Sequence, residues 1–280
     1  MSTEQETIIG IHPASPDFFG VWLSHTDLPA SDNKKHRALS EKAGSRTQAI
    51  DQVAAWVLDH LISDFMKTQM HEERLKILAS HKMEKLPDKF ALLPKQDRTV
   101  KGVIPEVVLI EYLKKTTGYT PIIHKLHYNP NVDQSMKGDD CLLFDPVHIK
   151  HRVIYGESKF RSVPSKQVIQ EIVDNLQNNK RLPVSLPFVA NILAKNNQAD
   201  KAREVMEVLN LINEGKTPVH NAGFLFSLKS TRNSVDTYHV VEQNLTTTNP
   251  NLVFISLGID NPSGFISDVM AKVTDMFNNL

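Results

Sequence analysis

Residues 138–160 read GDDCLLFDPVHIKHRVIYGESKF. This stretch contains two apolar segments, residues 141–144 and residues 152–160, each bounded by polar or turn-forming residues, and such segments predict β-strands. The second segment carries Glu157 and Lys159 among apolar neighbours. Two charges inside an apolar strand cost desolvation free energy unless they are paired with each other or bound to a metal ion.

The acids and the lysine of this stretch have the spacing that a phosphodiesterase centre requires. Glu157 and Lys159 are two residues apart on one strand, so their side chains share a face. If the two strands pair as a hairpin, Asp139 or Asp140 comes near Glu157. Two carboxylates and the backbone carbonyl of Ser158 would then offer oxygen ligands to Mg²⁺, and Lys159 would orient the attacking water or offset developing charge.

The Glu-x-Lys tripeptide alone is not specific. The chain has a second copy, Glu214-Gly215-Lys216, at the end of a predicted helix, and an Asp32-Asn33-Lys34 in a polar N-terminal region. Neither of these lies in an apolar strand that follows a short strand headed by acids. On local evidence, an ion pair at an exposed strand end remains the alternative explanation of Glu157 and Lys159.

Composition places the chain among ordinary globular proteins. It has 280 residues, of which 40% are apolar and 23% charged. The single cysteine, Cys141, rules out a disulfide within the chain and a zinc site of several thiolates. No apolar run approaches the ~20 residues of a membrane span, and the acidic N-terminus does not resemble a signal peptide. We therefore expect a soluble cytoplasmic protein without a membrane partner.

Charge gives a local signal only. The 32 basic residues balance the 32 acidic ones, so bulk charge does not argue for nucleic-acid binding. Between residues 148 and 166, however, the chain has five Lys and Arg residues and one acid, Glu157. This excess could face phosphates. It could equally belong to a solvated loop and strand edge.

Periodicity predicts an α/β chain. Residues 1–100 are expected to form a mostly helical region, part of or packed on the same domain as residues 101–280. The core order of helix, strands, helix and mixed elements predicts a three-layer fold with a central mixed sheet flanked by helices. The predicted elements, after an irregular segment 1–48, are helices at 50–66, 71–82, 105–115, 165–176, 199–213 and 266–277, and strands at 121–128, 141–144, 152–160, 222–228 and 252–258.

The acids before the first strand, followed by Gly156-Glu157-Ser158-Lys159 on the next, resemble the PD-(D/E)xK nuclease superfamily over residues 103–176. The resemblance implies a restriction-endonuclease-like fold and favours Asp140 over Asp139 as a metal ligand. It also implies a glutamate on the preceding helix and a polar residue on the following helix. The matching residues are Glu106, with Glu111 as second choice, and Gln167, with Lys166 beside it.

More narrowly, the Gly-Glu-Ser-Lys motif, the Ser-Lys-Gln start of the following helix and the chain length are similar to the HamA family, effector nucleases of the bacterial Hachiman anti-phage system. This resemblance implies a DNA endonuclease that uses Mg²⁺, with Mn²⁺ as a substitute, and a HamB-like helicase partner that restrains and targets it. Two alternatives stay open: a non-catalytic DNA-binding scaffold of a helicase complex, and a ribonuclease with the same centre.

Overall fold

The structure, a computed structural model, describes residues 2–81, 93–129, 131–133, 139–177, 182–230 and 236–280. A six-stranded mixed sheet in the order β1-β2-β6-β5-β4-β3 lies between two helical layers. The predicted α/β fold with a central mixed sheet flanked by helices is confirmed.

The strands are β1 (Leu23–Asp27), β2 (His36–Glu41), β3 (Cys141–Phe144), β4 (Val153–Phe160), β5 (Val219–Leu228) and β6 (Leu252–Ile259). The helices in the described residues are α1 (Glu4–Ile9), α2 (Phe18–Trp22), α3 (Arg46–Leu61), α4 (Asp64–His81), α5 (Asp97–Thr117), α6 (Lys166–Leu176), α7 (Leu182–Lys195), α8 (Ala199–Asn213), α9 (Thr237–Asn244) and α10 (Pro262–Asn278). A short 3-10 helix spans Lys125–Tyr128.

The four central strands, β2, β6, β5 and β4, run parallel, and β1 and β3 pair antiparallel at the two edges. Parallel strands covered on both faces are expected to be apolar throughout, and every residue of β6 is buried. Successive residues of β4 enter opposite layers. Ile154 packs in the core beneath α3, α5 and α10, whereas Tyr155 packs in the core beneath α6, α7 and α8.

The prediction of an irregular segment 1–48 is wrong, because β1 and β2 extend the sheet from its β6 side. The sequence of β2, HRALSE, carries charges that hide it from a search for apolar strands. Arg37 is fully buried there and forms an ion pair with Asp27, with 2.6 Å between Nε and Oδ1. A buried charge is tolerated when it is paired in this way. The proposed division near residue 100 stays a prediction.

Two further predicted elements differ from the structure. No strand forms at residues 121–128, where the chain makes one bridge at Thr120 and then turns into the 3-10 helix. The predicted helix 105–115 is α5, but it begins at Asp97, so Pro105 lies inside it and not in its first turn. A proline there lacks one intrahelical hydrogen bond, which the burial of twelve α5 residues offsets.

In the described part of the chain, no helix is both long enough and apolar enough to cross a bilayer.

Candidate active site

The antiparallel pairing of β3 with β4 brings an acid to the predicted position. Cys141 is opposite Gly156, so the residue before β3, Asp140, comes beside the following residues of β4. The backbone N–H and the hydroxyl of Ser158 both donate to Oδ2 of Asp140, at 2.8 and 3.1 Å. The hairpin therefore brings Asp140 close to β4, as expected. Two hydrogen bonds hold its carboxylate at the end of the sheet.

Glu157 is fully buried and faces α6. Its Oε1 lies 2.7 Å from Nζ of Lys159 and accepts a hydrogen bond of 2.9 Å from Nδ2 of Asn175 on α6. Burial alone would lower the pKa of Lys159, but the carboxylates of Glu157 and Asp140 raise it above its usual value. The charges inside β4 are therefore paired, as the desolvation argument requires.

Glu106 on α5 supplies a third carboxylate. Burial raises the pKa of Glu106 to about 7; the neighbouring charges of Asp140 and Glu157 add to this, and Lys125 opposes it. The ammonium of Lys125 lies 3.1 Å from Oε1 of Glu106 and also donates to the backbone carbonyl of Asp139. Three carboxylates thus influence one another in a partly desolvated region that also holds two lysines.

These groups open on one cleft of about 890 Å³. Its floor is formed by Glu106, Lys125, Asp140, Ser158 and Lys159. Its rim carries further cations from two sides, namely Arg98 and Lys101 on α5 and Arg161 after β4.

The chemistry of this donor set fits a hard divalent cation. Mg²⁺ binds carboxylate and carbonyl oxygens, and the like charges that raise the pKa of Glu106 are the charges that such an ion would neutralise. Within the described ranges, no group of three or more His, Cys, Asp or Glu side chains is already arranged to hold an ion. A metal ion bound by Glu157 would therefore need side-chain movement that takes Lys159 away from that carboxylate.

Comparison with known proteins identifies the family. The HamA family model matches residues 16–273. The chain is also 37% identical over 267 residues, 95% of its length and 94% of the relative, to the Hachiman protein HamA of Bacillus cereus. The chain belongs to the HamA family. The resemblance indicated by the Gly-Glu-Ser-Lys motif is confirmed, and the match to the HamA family includes all the predicted site residues and the strands β1 and β2.

Within this HamA family member, the two adjacent aspartates have different environments. Asp140 lines the cleft, whereas Asp139 is 4% exposed and lines a smaller adjoining cavity. Burial raises the pKa of Asp139 to about 6, against the effect of hydrogen bonding with Ser185 and Tyr155. The geometry therefore assigns the cleft carboxylate to Asp140. Gly138, the first residue of the motif, lies outside the described residues.

Of the two candidates on α5, Glu106 faces the cleft. Glu111 instead pairs with His60 at 2.7 Å and with Lys114 at 2.8 Å, and these hydrogen bonds lower its pKa despite burial, which would raise it. The side chain of Gln167 is exposed and does not line the cleft. The structure therefore brings Glu106, and not Glu111 or Gln167, near Asp140, which precedes β3, and Glu157 on β4.

Three residues near the centre escape a motif search: Lys125, Glu171 and Asn175. Glu171 and Asn175 follow Gln167 at intervals of four, so all three lie on one face of α6. The prediction of Gln167 therefore chose the correct face of α6. The residue that reaches Glu157, however, is Asn175, two helical turns further along. Lys125 had no signal, because it belongs to a segment that was predicted to be a strand.

The basic segment between residues 148 and 166 only partly faces the cleft. Lys159 and Arg161 line it. Lys150 pairs with Glu207 at 2.5 Å, and the guanidinium of Arg152 stacks on Tyr119 at 4.5 Å from the ring centre. Arg98 and Lys101, outside that segment, provide the other cations of the rim.

Proposed function

We propose that this HamA family member is a metal-dependent DNA endonuclease, the effector subunit of a Hachiman anti-phage defence complex. One observation carries the proposal: Asp140, Glu106 and Lys159 come from three separate parts of the chain and line the floor of one cleft, where Lys159 also contacts the buried Glu157 at 2.7 Å. In the proposal, Asp140, Glu157 and the carbonyl of Ser158 hold Mg²⁺, for which Mn²⁺ substitutes.

The bound ion would supply Lewis-acid activation of the scissile phosphate and of a water molecule. The other roles belong to the chain itself. Once Lys159 leaves Glu157, its ammonium faces the cleft and offsets the negative charge that develops on phosphate oxygens. Asn175 holds the Glu157 carboxylate in place from α6. Because Gln167 is exposed and Asn175 donates to Glu157, we assign to Asn175 the positioning role that the resemblance implied for Gln167.

The rim supports a polyanionic substrate. Arg98 and Lys101 lie on the α5 side of the cleft and Arg161 on the β4 side, so a phosphate backbone would contact cations on both walls. Contacts of this kind, to phosphates and not to base edges, would give binding without a sequence preference.

The test of the proposal is plasmid cleavage with Mg²⁺. Loss of one electrostatic group of this type costs about 10²–10³ in rate, so Glu157→Ala and Lys159→Ala should each remove visible degradation. Glu214→Ala and Lys216→Ala are matched controls, because this second Glu-x-Lys pair has the same 2.7 Å contact but is exposed. If all four variants cleave like the parent, the site is assigned wrongly. The same assay with an RNA substrate tests whether the chain cleaves DNA or RNA.

A helicase partner is part of the proposal. The segment Gly215-Lys216-Thr217 lacks the glycine that a phosphate-binding loop needs five residues earlier, where Asn210 stands. We propose that a HamB-like helicase supplies the motor, restrains the nuclease and brings it to DNA. Co-expression followed by size-exclusion chromatography should give one common peak, and two separate peaks would count against the complex.

A second candidate function is a non-catalytic subunit of the same complex. It is favoured by one observation: Glu157 and Glu106 already have lysine partners at 2.7 and 3.1 Å, and such pairs neutralise buried carboxylates without an ion. Calorimetric titration with Mn²⁺ separates the two functions, because a scaffold of this kind would bind no ion at the cleft.

A further inference from the structure

Lys125 is a second lysine on the cleft floor, on the opposite side from Lys159. Its ammonium lies 3.1 Å from Oε1 of Glu106 and donates a hydrogen bond to the carbonyl oxygen of Asp139. Its side chain is 18% exposed, and the exposed part opens on the cleft beside Asp140.

The two oxygens that accept from Lys125 are of the kind that a divalent ion takes as ligands. One is a carboxylate from α5, and the other is a backbone carbonyl from the residue before Asp140. Enzymes that cleave phosphodiesters with two ions place these ions about 3.5–4 Å apart and share carboxylates between them. In this chain, the ammonium of Lys125 occupies the two oxygens, from Glu106 and Asp139, that a second ion would need as ligands.

The charges at the cleft floor agree with a single ion. With all three ionised, the carboxylates of Glu106, Asp140 and the buried Glu157 and the ammonium groups of Lys125 and Lys159 leave one formal negative charge; the more exposed Glu171 and Arg161 of the cleft pair with each other and add none. One divalent ion would leave one positive charge, enough to balance one phosphodiester. Two ions would leave three positive charges in a partly desolvated pocket, which is unfavourable.

We propose that the ammonium of Lys125 is a built-in cation that takes the place of a second divalent ion, so that the centre binds one Mg²⁺ per chain. This inference rests on the proposed metal-dependent function. Lys125 is thereby a positioning residue: it pairs with Glu106 beside the cleft and leaves metal binding to Asp140 and Glu157.

The number of bound ions tests this. Mn²⁺ is titrated into the full chain by calorimetry, and the loss of the free-Mn²⁺ signal is followed by electron paramagnetic resonance. We expect one ion per chain for the parent and for Lys125→Arg, which keeps the cation. Lys125→Ala, which removes the ammonium and opens space, should bind two. Lys101→Ala is the matched control, since this cleft lysine pairs with Asp97 and not with a carboxylate of the floor.

Two ions per chain in the parent would overturn the inference, even if Lys125→Ala failed to fold. It would also be overturned if Lys125→Ala, folded by circular dichroism, bound one ion or none; Lys125→Gln repeats this arm should the alanine variant be unstable. A failure of the proposed function would look different. The parent would then show no Mn²⁺ binding that depends on Glu157, so the parent and Glu157→Gln would give the same titration.

Discussion

The ammonium nitrogen of Lys159 lies 2.7 Å from Oε1 of Glu157, so the lysine of the motif occupies an oxygen that the proposed metal site needs. Glu157 is fully buried, and the lysine neutralises a charge that would otherwise be costly. In the proposed site, a metal ion would therefore compete with Lys159 for this carboxylate.

This competition predicts the response of Lys159→Met to Mg²⁺. Removing the ammonium leaves a buried charge short of a partner and should lower the free energy of unfolding by about 1–3 kcal/mol. Mg²⁺ should then raise the melting temperature of Lys159→Met more than that of the parent, because no ammonium competes for Glu157. Differential scanning fluorimetry with and without Mg²⁺ measures both effects. Equal Mg²⁺ shifts in the two proteins would contradict the competition.

Asn175→Leu tests which residue of α6 serves the centre. Asn175 donates to Glu157 at 2.9 Å, and loss of such an outer partner typically costs 10–100-fold in metal affinity or activity. Gln167→Leu, on the same helix face but exposed, should behave like the parent in Mn²⁺ titration and in DNA cleavage. The opposite ranking would restore Gln167 as the functional residue.

Glu171→Gln should strengthen DNA binding. The Glu171 carboxylate lies 3.6 Å from Nζ of Lys159 and 3.4 Å from a guanidinium nitrogen of Arg161, so it holds two cleft cations away from phosphate. An exposed contact of this kind contributes about 0.2–1 kcal/mol, so a gain of up to roughly fivefold is expected at low salt. Fluorescence anisotropy with a labelled duplex gives the affinity. Glu207→Gln, whose partner Lys150 lies away from the cleft, is the control, and a gain there of the same size would refute the explanation.

A buried network far from the cleft predicts a pH dependence of stability. His36 joins Ser256, 2.7 Å from its Nε2, to Glu242, 2.9 Å from its Nδ1. Ser256 and His36 are each 1% exposed, so this array of serine, histidine and glutamate joins β2, β6 and α9 in the interior of the protein.

The hydrogen bond from His36, with help from Lys34, lowers the pKa of Glu242 to about 2 from its ordinary value of 4.5. A lowered carboxyl pKa stabilises the fold above about pH 4.5, and the contribution is lost as the pH falls from there towards 2. Glu242→Gln should therefore melt below the parent at pH 7, and the gap should narrow below pH 4.5. A gap that stays constant from pH 7 to 3 would exclude this linkage.

Elements whose pattern is local could be predicted from the sequence. The apolar segments of β3, β4, β5 and β6 and the start of α6 at Ser165 follow from composition and capping, and all of these elements are present. Glu157 and Lys159 share a face because a strand has a period of two residues, whatever the rest of the chain does.

Among residues that the local pattern leaves equivalent, the family resemblance favoured Asp140, Glu106 and Gln167, and the tertiary structure brings the first two and Asn175 to the centre. Asp140 over Asp139, Glu106 over Glu111 and Asn175 over Gln167 depend on how each helix or strand is rotated against the sheet. The helical period narrows the choice on α6 to the residues of one helix face, but it does not determine which turn of that face lies over β4. Likewise, β2 could not be predicted from its own sequence. The charge of Arg37 is tolerated in a buried strand only because folding brings Asp27 beside it.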